Sequence, residues 1–353
     1  MKPFAAALLA WFDDHGRHDL PWQSASSDGR RDAYRVWLSE TMLQQTQVAT
    51  VIGYFERFVA ALPTLRDLAA APEDQVLALW SGLGYYRRAR FLHRAAQLCV
   101  ERHGGELPHD FDALAALPGI GRSTTGAILA QAHGLRFPIL DGNVKRVLAR
   151  YHGIHGHPGE SAVEKLLWQH ADAHTPATRV ADYTQAIMDL GATVCTRARP
   201  RCEACPLAAD CVALRDGLVA QLPSPKPAKI TPTRETVMLI LRDAHGRVLL
   251  ERRGPQGVWP GLWSLPEATD IDAAWRHARQ HARIDDAQPL VPFTHVFSHY
   301  KLRVEPLLFD GAAAARGIAD NPGLRWCDAS DLAALGLPAP VRKLLQNLEG
   351  STA

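Results

Sequence analysis

The sequence lacks the features that would assign it to several large classes of protein. Past its first dozen residues, no stretch approaches the roughly 18 apolar residues of a membrane span, so no membrane association is expected. The 39 basic and 37 acidic residues leave a formal net charge of +2, which neither indicates nor excludes nucleic-acid binding. Internal repeats and low-complexity tracts are also absent. Six cysteines in 353 residues suit a reducing cytosol better than a disulfide framework.

The start of the chain contains an apolar run at residues 4–12 that follows Lys2. It superficially resembles a short secretory signal. Its alanines, however, precede the bulky residues instead of forming a cleavage site after them. The bulky residues share one helical face, which predicts an amphipathic helix and no secretory signal. They are Phe4, Leu8, Trp11 and Phe12.

The length and composition, with 47% hydrophobic and 22% charged residues, favour two domains with substantial cores. Up to about Gln221, apolar residues recur at three- and four-residue spacings, which predicts a mostly α-helical domain. Residues 222–232 contain four prolines and are expected to form a linker. The helices predicted before the linker are 32–47, 48–60, 73–81, 86–102, 112–117, 123–133, 142–151, 161–173 and 179–191.

Beyond the linker, the hydrophobic periodicity changes to that of β-strands. Strands are predicted at 235–241, 247–251 and 293–308, with a turn between the first two. Helices are predicted at 272–283 and 339–348. This mixture is typical of a small α+β domain.

Four of the cysteines lie close together, with six, two and five residues between them. Four thiolates are the usual ligands of an iron–sulfur cluster, so this spacing favours an iron–sulfur site. A structural zinc, which more often uses two close cysteine pairs, and a set of unligated thiols are the alternatives. The loop 196–201 carries three arginines and no acid, which suggests contact with DNA. The cysteines are Cys195, Cys202, Cys205 and Cys211.

A second motif, Leu117-Pro-Gly-Ile-Gly-Arg-Ser123, lies between two predicted helices. Gly119 and Gly121 would let backbone amides at a helix start approach an anion closely. The motif resembles the hairpin of a helix–hairpin–helix motif, which grips DNA phosphate without reading bases. A glycine-rich helix connector is the alternative interpretation. Twenty residues beyond Gly121 stands Asp141, close enough behind the second helix to face a bound strand.

Three further segments carry a resemblance to a known family. They are Trp37-Leu-Ser-Glu-Thr-Met-Leu-Gln-Gln-Thr-Gln-Val48, Gly82-Leu-Gly-Tyr-Tyr-Arg87 and Ile139-Leu-Asp-Gly-Asn-Val-Lys-Arg-Val147. With the hairpin and the four cysteines in this order, they resemble the MutY-type adenine DNA glycosylases of the endonuclease III superfamily. The resemblance extends over nearly the whole chain. It implies a helix–hairpin–helix glycosylase domain with a [4Fe–4S] cluster, followed by a Nudix-like α+β domain.

Enzymes of this family remove adenine mispaired with 8-oxoguanine or guanine by hydrolysing the N-glycosidic bond. Adenine leaves readily only once protonated, and the remaining sugar gains oxocarbenium character, so the reaction needs one acid and one carboxylate. The resemblance implies that Glu40 is the general acid that protonates N7 and that Asp141 is the stabilising carboxylate. Asn143 resembles a residue that positions this site. Apolar side chains around Glu40 would raise its pKa toward the working pH.

Position 123 bears on the type of reaction. Bifunctional relatives carry a lysine here, whose amine attacks the sugar carbon and then cleaves the strand. This chain has Ser123, and a hydroxyl cannot form that imine. We therefore expect a monofunctional glycosylase without genuine strand cleavage.

The resemblance also implies contacts with DNA. The target base must leave the stack before it can be excised. Gln44, Gln45 and Tyr85 correspond to residues that reach into the duplex near the orphan base, with Tyr85 as a wedge. Arg17 and Trp22 resemble residues that line the adenine pocket. The four cysteines would ligate the cluster and hold the arginines of their loop against phosphate.

The C-terminal domain resembles pyrophosphatases of the Nudix family, which hydrolyse oxidised nucleotides. Catalytic Nudix proteins bind magnesium through acids on a helix, and the predicted helix at 272–281 lacks these acids. The domain is therefore expected to recognise 8-oxoguanine. The candidate contact is Phe297, Ser298 and His299, where Ser298 can distinguish the N7 hydrogen of 8-oxoguanine from the bare N7 of guanine. An ordinary surface strand is the alternative.

The expected organisation is a glycosylase domain at 1–221 with its cluster loop at 195–211, a linker at 222–232 and a recognition domain at 233–353. The expected partner is double-stranded DNA with an A:8-oxoguanine or A:G mispair. A monomer is expected, in the cytoplasm of a bacterial-type cell and associated with DNA. The alternatives are an endonuclease III-like glycosylase/lyase, a Nudix pyrophosphatase and a noncatalytic iron–sulfur DNA-binding protein.

Overall fold

The computed structural model describes residues 3–24, 31–226, 231–254, 256–297, 299–311, 313–314 and 321–350. The chain divides into two compact units. The first unit comprises residues 1–70 and 91–228, and the second comprises residues 71–90 and 229–353. The second unit thus includes a short segment from the helical half of the chain.

The α-helices of the described residues are numbered in chain order. They are α1 (Pro3–His15), α2 (Ala33–Leu43), α3 (Val48–Ala61), α4 (Leu65–Ala70), α5 (Glu73–Trp80), α6 (Arg87–Arg102), α7 (Phe111–Ala115), α8 (Arg122–His133), α9 (Gly142–His152), α10 (Ser161–His174), α11 (Val180–Asp189), α12 (Val212–Arg215), α13 (Ile271–His281), α14 (Ala329–Ala334) and α15 (Ala339–Gly350). A π-helical turn, Leu190–Val194, follows α11 directly. Within the described ranges, no helix is both long enough and apolar enough to cross a membrane.

The local sequence explains where several helices begin and end. The Asp32 carboxylate accepts hydrogen bonds from two first-turn amides of α2, at 2.8 and 3.2 Å, which is typical of an N-cap. Gly134 and Gly153 end α8 and α9 in the left-handed conformation, with φ of 65° and 66°. Glycine adopts this conformation without steric cost. These signals fix the lengths of the helices that frame the candidate site.

The core of the first unit joins α1 to the helices near the candidate site. Phe4, Leu8 and Phe12 of α1 are at most 3% exposed, as their shared helical face predicts. Burial of each such side chain contributes roughly 1.5–3 kcal/mol relative to leaving it exposed. The cluster also contains residues of α9, α10 and α11, including Val144, Leu148, Leu167, Ala171, Tyr183 and Ile187.

The second unit is built on a mixed β-sheet. Its strands are β1 (Thr233–Arg242), β2 (Val248–Arg252), β3 (Trp263–Ser264), β4 (Glu267–Ala268), β6 (Gln288–Pro289), β7 (Phe293–Val296), β8 (Lys301–Asp310) and β10 (Leu324–Cys327), while β5 (Ala282–Arg283) pairs with β9 (Ala313–Ala314). The central strand order is β10-β2-β1-β8-β6. β1 and β8 are parallel, in register from Thr233 opposite Lys301 to Arg242 opposite Asp310. Helix α13 packs on this sheet through Ala274 and Ala278.

The segment 71–90 packs within the second unit. Ser81 Oγ and the Tyr86 hydroxyl both donate hydrogen bonds to the Leu337 carbonyl oxygen, at 2.9 and 3.0 Å. The glycosylase domain expected from the sequence runs continuously over 1–221, whereas these contacts group part of it with the sheet. The domain boundaries stay a prediction.

The structure corrects two predicted elements. The helix predicted at 32–47 ends at Leu43, and Gln45 beyond it adopts a φ of 60°. The strand predicted at 293–308 is two antiparallel strands, β7 and β8, joined by a loop in which the Phe297 amide donates to the Tyr300 carbonyl at 2.9 Å. Both errors have one cause, because apolar periodicity does not show where the backbone reverses direction.

Candidate active site and cysteine-lined cavity

A cavity of about 930 Å³ in the first unit is lined by eight of the predicted site residues. The end of α2, the start of α8, the start of α9 and the π-helical turn after α11 all contribute to its walls. The fold therefore brings together side chains that are far apart in sequence. The predicted residues that line the cavity are Arg17, Trp22, Glu40, Gln44, Gln45, Ser123, Asp141 and Asn143.

Glu40 lies near the end of α2 and faces this cavity. Its helix neighbours Trp37 and Leu38 are at most 1% exposed. Burial is the main cause that raises the pKa of Glu40 to about 7, the nearby Asp141 carboxylate raises it further, and a hydrogen bond from Gln131 opposes the shift. At neutral pH a substantial fraction of Glu40 therefore carries the proton that a general acid needs.

Two residues that the sequence did not single out support Glu40: Gln131 holds its carboxyl group, and Arg31 holds Gln131. Gln131 Nε2 donates to Glu40 Oε1 at 2.9 Å, and Arg31 Nη1 donates to Gln131 Oε1 at 2.9 Å. Because a guanidinium only donates, Arg31 determines which way the Gln131 amide points. Gln131 is 5% exposed on the buried face of α8. A polar residue on such a face was the available signal in the sequence.

Asp141 is the N-cap of α9 and also lines the cavity. Its Oδ1 accepts the Val144 amide at 2.8 Å, and its Oδ2 accepts Asn143 Nδ2 at 3.3 Å. Burial is the main cause that raises the pKa of Asp141, while these donors and the Arg146 guanidinium favour the ionised form. The positive end of the helix dipole also favours a carboxylate here. Asp141 thus has more support as an anion than Glu40, whose pKa is lowered by a single donor.

Arg146 connects the start of α9 to the segment before the cysteine loop. Its guanidinium donates to Asn143 Oδ1 at 2.8 Å, to the Gly191 carbonyl at 2.6 Å and to the Cys195 carbonyl at 2.7 Å. A Cβ at Gly191 would lie 2.6 Å from the Asn143 Cβ, so only glycine permits this approach. Asn143 is therefore held on one side by Arg146 and directed to Asp141 on the other.

A buried acid that the sequence analysis missed orients Arg17. The Arg17 backbone amide and Nε donate to the Asp189 carboxylate at 2.8 and 2.9 Å. Gln185 Nε2 donates to the same carboxylate at 2.8 Å. The Asp189 side chain is only 1% exposed. It interrupts the apolar sequence at the end of α11, and that interruption was the signal for it.

The other residues of this unit that are predicted to contact bases line the same cavity. Trp22 is 3% exposed and packs edge-on against Phe55, with ring centroids 5.4 Å apart. Gln44 and Gln45 follow the end of α2. The φ of 60° at Gln45 is a left-handed conformation that costs a non-glycine residue about 1–3 kcal/mol. Such strained residues are concentrated at functional sites.

The predicted hairpin places two glycines in different surroundings. Gly119 has a φ of 78°, and a Cβ there would lie 2.8 Å from the Phe91 Cβ. Gly121 is the N-cap of α8 with a φ of −95° and no side-chain cap. A Cβ at Gly121 would meet no atom within 4 Å. Gly119 is thus required by the fold, whereas the backbone does not require glycine at position 121.

Ser123 lies one residue into α8 and lines the cavity. Its Oγ accepts the Leu140 amide at 2.9 Å. Leu140 directly precedes Asp141, so this hydroxyl supports the segment that leads into the second carboxylate.

The four cysteines line a separate cavity of about 30 Å³ in the first unit. They are half-buried free thiols. Arg150 is 3% exposed and donates to Cys195 Sγ at 3.4 Å and to the Thr196 carbonyl at 2.7 Å. In the part of the chain that the structure describes, no three cysteine sulfurs lie within 4.8 Å of one another. Sulfurs around one zinc ion, each about 2.3 Å from the metal, would lie closer together than this. Four thiols next to a buried cation fit an anionic iron–sulfur cluster.

The other predicted contacts belong to the second unit. Tyr85 is 49% exposed with a φ of 49°. Phe297 and His299 lie in the loop between β7 and β8, where the Phe297 ring centroid is 5.3 Å from that of Trp259. Ser298 lies outside the described residues. Helix α13 contains one acid, Asp272, in its first turn, whereas a magnesium site of the Nudix type needs several carboxylates.

Comparison with known proteins first defines the class. Residues 38–172 match the family model described as HhH-GPD superfamily base excision DNA repair protein, and residues 236–347 match that of the NUDIX domain. The solved structure of a thermostable thymine-DNA glycosylase aligns with a TM-score of 0.53 and 25% identity, covering 60% of this chain and 95% of that one. The fold class expected from the sequence is thereby confirmed.

Similarity to curated proteins then defines the family. The chain is 35% identical to the adenine DNA glycosylase of Buchnera aphidicola subsp. Acyrthosiphon pisum, with 98% of this chain and 97% of that protein covered. It is 34% identical to the human adenine DNA glycosylase, with 98% and 74% covered. The chain belongs to the adenine DNA glycosylase family. The resemblance and the enzyme class stated from the sequence motifs are confirmed.

Proposed function

We propose that this chain excises adenine from mispaired DNA by general acid catalysis at Glu40. Two carboxyl groups with different surroundings line one cavity, which supports general acid catalysis there. Glu40 has a pKa of about 7, while Asp141 is supported as an anion by the start of α9. One protonated and one ionised carboxyl group is the pairing that cleavage of an N-glycosidic bond requires.

Each group then has a distinct role in the reaction. Protonated Glu40 donates its proton to N7 of the extruded adenine, which makes the base a good leaving group. Ionised Asp141 stabilises the oxocarbenium sugar, and Asn143 holds the Asp141 carboxylate in place. The Glu40 carboxylate then accepts a proton from the attacking water. Ser123 offers no amine for imine formation, so the product is an abasic site in an intact strand.

The other cavity residues hold the DNA. Arg17 and Trp22 line the pocket for adenine, and the amides next to Gly119 and Gly121 bind phosphate. In the second unit, Tyr85 is the wedge that keeps the duplex open. Gln44 and Gln45 reach into the space that the base has left.

The second unit supplies the preference for 8-oxoguanine over guanine through Phe297, Ser298 and His299. The partner is accordingly double-stranded DNA with an A:8-oxoguanine or A:G mispair. We place the enzyme in the cytoplasm, as a monomer on DNA.

A [4Fe–4S] cluster is the cofactor that fits the four cysteines. Bound there, it would supply a structural anchor for Arg197, Arg199 and Arg201, which are exposed on the loop and available to phosphate. Cys202→Ala is expected to lower stability or DNA affinity before it alters the chemistry. Iron and acid-labile sulfide measured per chain would check the cofactor, with four of each expected.

The test uses a duplex with adenine opposite 8-oxoguanine under single-turnover conditions, with strand breaks measured before and after hot alkali. Breaks are expected only after alkali. Glu40→Gln is expected to slow excision by roughly 100- to 10,000-fold, the usual contribution of a general acid. The variant should still bind the duplex.

Glu56→Gln is the matched control, because Glu56 is an exposed acid of α3. It should excise adenine at the wild-type rate. Breaks that appear without alkali and are trapped by borohydride would contradict the monofunctional reaction. Wild-type excision by Glu40→Gln would contradict the role of Glu40.

A further inference from the structure

Three histidines of the first unit form a cluster outside the glycosylase cavity. His152 is the last residue of α9, and His170 and His174 lie four residues apart on α10. One ring nitrogen of each lies within 4.8 Å of those of the other two. None of the three lines the cavity that contains Glu40. The proposed excision reaction therefore uses none of these three histidines.

The ring nitrogens are already close to the spacing that one metal ion requires. His152 Nε2 and His174 Nε2 share a hydrogen bond at 2.8 Å, and the His152 and His170 rings stack with centroids 3.6 Å apart. Nitrogens bound tetrahedrally at the usual Zn–N distance are separated by about 3.3 Å. A bound ion would replace the proton shared by His152 and His174, and the stacked His170 ring would have to turn its nitrogen toward the other two.

Neighbouring aromatic side chains hold two of these rings in place. The Phe4 ring stacks on His174 with centroids 4.0 Å apart, and Tyr151 packs edge-on against His152 at 4.9 Å. All three residues retain some exposure, which leaves a path for an ion.

We propose that His152, His170 and His174 bind one divalent transition-metal ion of the zinc class, with water as the fourth ligand. Imidazole nitrogens favour zinc, nickel and copper, whereas magnesium and calcium favour oxygen ligands. Ligands four residues apart lie on the same face of a helix, and the third ligand comes from the neighbouring helix. The ion would cross-link α9 to α10, at the opposite end of α9 from Asp141.

The test compares zinc bound per chain in the wild-type protein, with its iron–sulfur cluster in place, and in the double variant His170→Gln/His174→Gln. After equilibrium dialysis against zinc, elemental analysis is expected to show one more zinc per wild-type chain than per variant chain. The variant should bind this zinc at least about tenfold more weakly. Zinc should also raise the Tm of the wild type and not that of the variant.

His277→Gln/His281→Gln is the matched control. These histidines are also four residues apart, on α13, with ring centroids 5.0 Å apart. Within the described residues they belong to no group of three metal-binding side chains. The control should bind the same amount of tightly bound zinc per chain as the wild type. Equal zinc in the wild type and the His170/His174 variant, or loss of the zinc only in the control, would overturn the proposal.

A second measurement does not depend on how the variant folds. Zinc is expected to protect His152, His170 and His174 of the wild-type protein from acylation by diethyl pyrocarbonate, read out by peptide mass analysis. His277 and His281 should be modified equally with and without zinc. Magnesium at the same concentration should protect none of the five histidines. Unchanged modification of the three clustered histidines in the presence of zinc would overturn the proposal.

Discussion

At the scale of single residues, Glu40 is kept in an environment that disfavours its charge. Its apolar neighbours withdraw it from water, and Asp141 adds a second negative charge nearby. One hydrogen bond from Gln131 partly compensates. This environment costs stability whenever Glu40 is ionised, and it creates the acid that the reaction uses.

Glu40→Gln is therefore expected to stabilise the protein at alkaline pH. The pKa of Glu40 rises from an ordinary 4.5 to about 7 on folding, so the folded state retains a proton that the unfolded chain loses first. The stability of the wild type therefore falls as pH rises from about 4.5 to about 7. Glutamine does not titrate, so its advantage over glutamate should be larger at pH 8 than at pH 5. Urea unfolding at both pH values measures this, and an equal difference at both would contradict it.

Gln131→Leu is expected to raise the pKa of Glu40 further. The substitution removes the single hydrogen bond that lowers this pKa and leaves burial and Asp141 as they are. The decline of the excision rate with rising pH should therefore begin at a higher pH than in the wild type. Single-turnover rates measured across neutral pH check the shift. Gln169→Leu, at an exposed position of α10, should leave the profile unchanged, and a profile for Gln131→Leu that begins to fall at lower pH would contradict the role of Gln131.

At the scale of elements, helix α9 connects the cavity that contains Glu40 and Asp141 to the cysteine loop. Asp141 caps its start, Arg146 binds the backbone at Gly191 and Cys195, and Arg150 reaches the thiol of Cys195 one turn later. A rigid helix with these three anchors fixes the carboxylate relative to the cysteine loop.

The hairpin glycines give a matched pair of substitutions. Gly119→Ala places a side chain at a φ of 78° and 2.8 Å from Phe91, so it should lower the free energy of unfolding by at least about 1 kcal/mol. Gly121→Ala places a methyl group in open space at a residue whose φ is negative. This variant should therefore be as stable as the wild type. It should instead weaken DNA binding, because its methyl group occupies the approach to the amides of α8.

Urea unfolding and binding to an undamaged duplex separate these two effects. Wild-type DNA affinity in Gly121→Ala would contradict phosphate binding at this hairpin. Wild-type stability in Gly119→Ala would contradict its structural role.

Helix positions were largely predictable from the sequence, because apolar periodicity and caps are local signals. Every helix predicted at or beyond residue 48 agrees with the structure to within two residues. Backbone reversals were not predictable from periodicity, as the end of α2 before Gln45 and the loop at Phe297 show. The pairing of Arg17 with Asp189 joins residues 172 positions apart. Such a contact follows from how helices pack and leaves no periodic signal.

The motif residues of the cavity were predictable, because short motifs identified them by resemblance. Gln131 and Arg31 belong to no motif, and they acquire a role only when α8 lies beside α2. Supporting residues of this kind depend on tertiary contacts and were therefore missed.

At the scale of the whole molecule, the chain consists of two units with separate cores. One contains the cavity with both carboxyl groups and the cysteine loop, and the other contains the sheet and the Phe297 loop. The family model matched by residues 38–172 covers parts of the first unit and the segment 71–90 of the second, and the model matched by residues 236–347 lies wholly in the second unit. The proposed function assigns excision to the first unit and lesion recognition to the second.

Phe297→Ala is expected to reduce the preference for 8-oxoguanine. The Phe297 ring packs against Trp259 and Tyr300, with centroids 5.3 and 4.8 Å apart, and its loss should loosen the loop that follows β7. The ratio of excision rates opposite 8-oxoguanine and opposite guanine should fall by several-fold, with the rate opposite guanine retained. Val291→Ala, at a site 84% exposed, is the control and should keep the wild-type ratio. Equal losses on both substrates would contradict a discriminating role.

If protonated Glu40 drives excision, the single-turnover excision rate must depend on pH. The rate is measured for the wild type on a saturating A:8-oxoguanine duplex from about pH 5 to about pH 9. Because the pKa of Glu40 is about 7, the rate should fall by about tenfold per pH unit well above neutrality. A rate that stays constant or increases with pH through this range would rule out protonated Glu40 as the general acid.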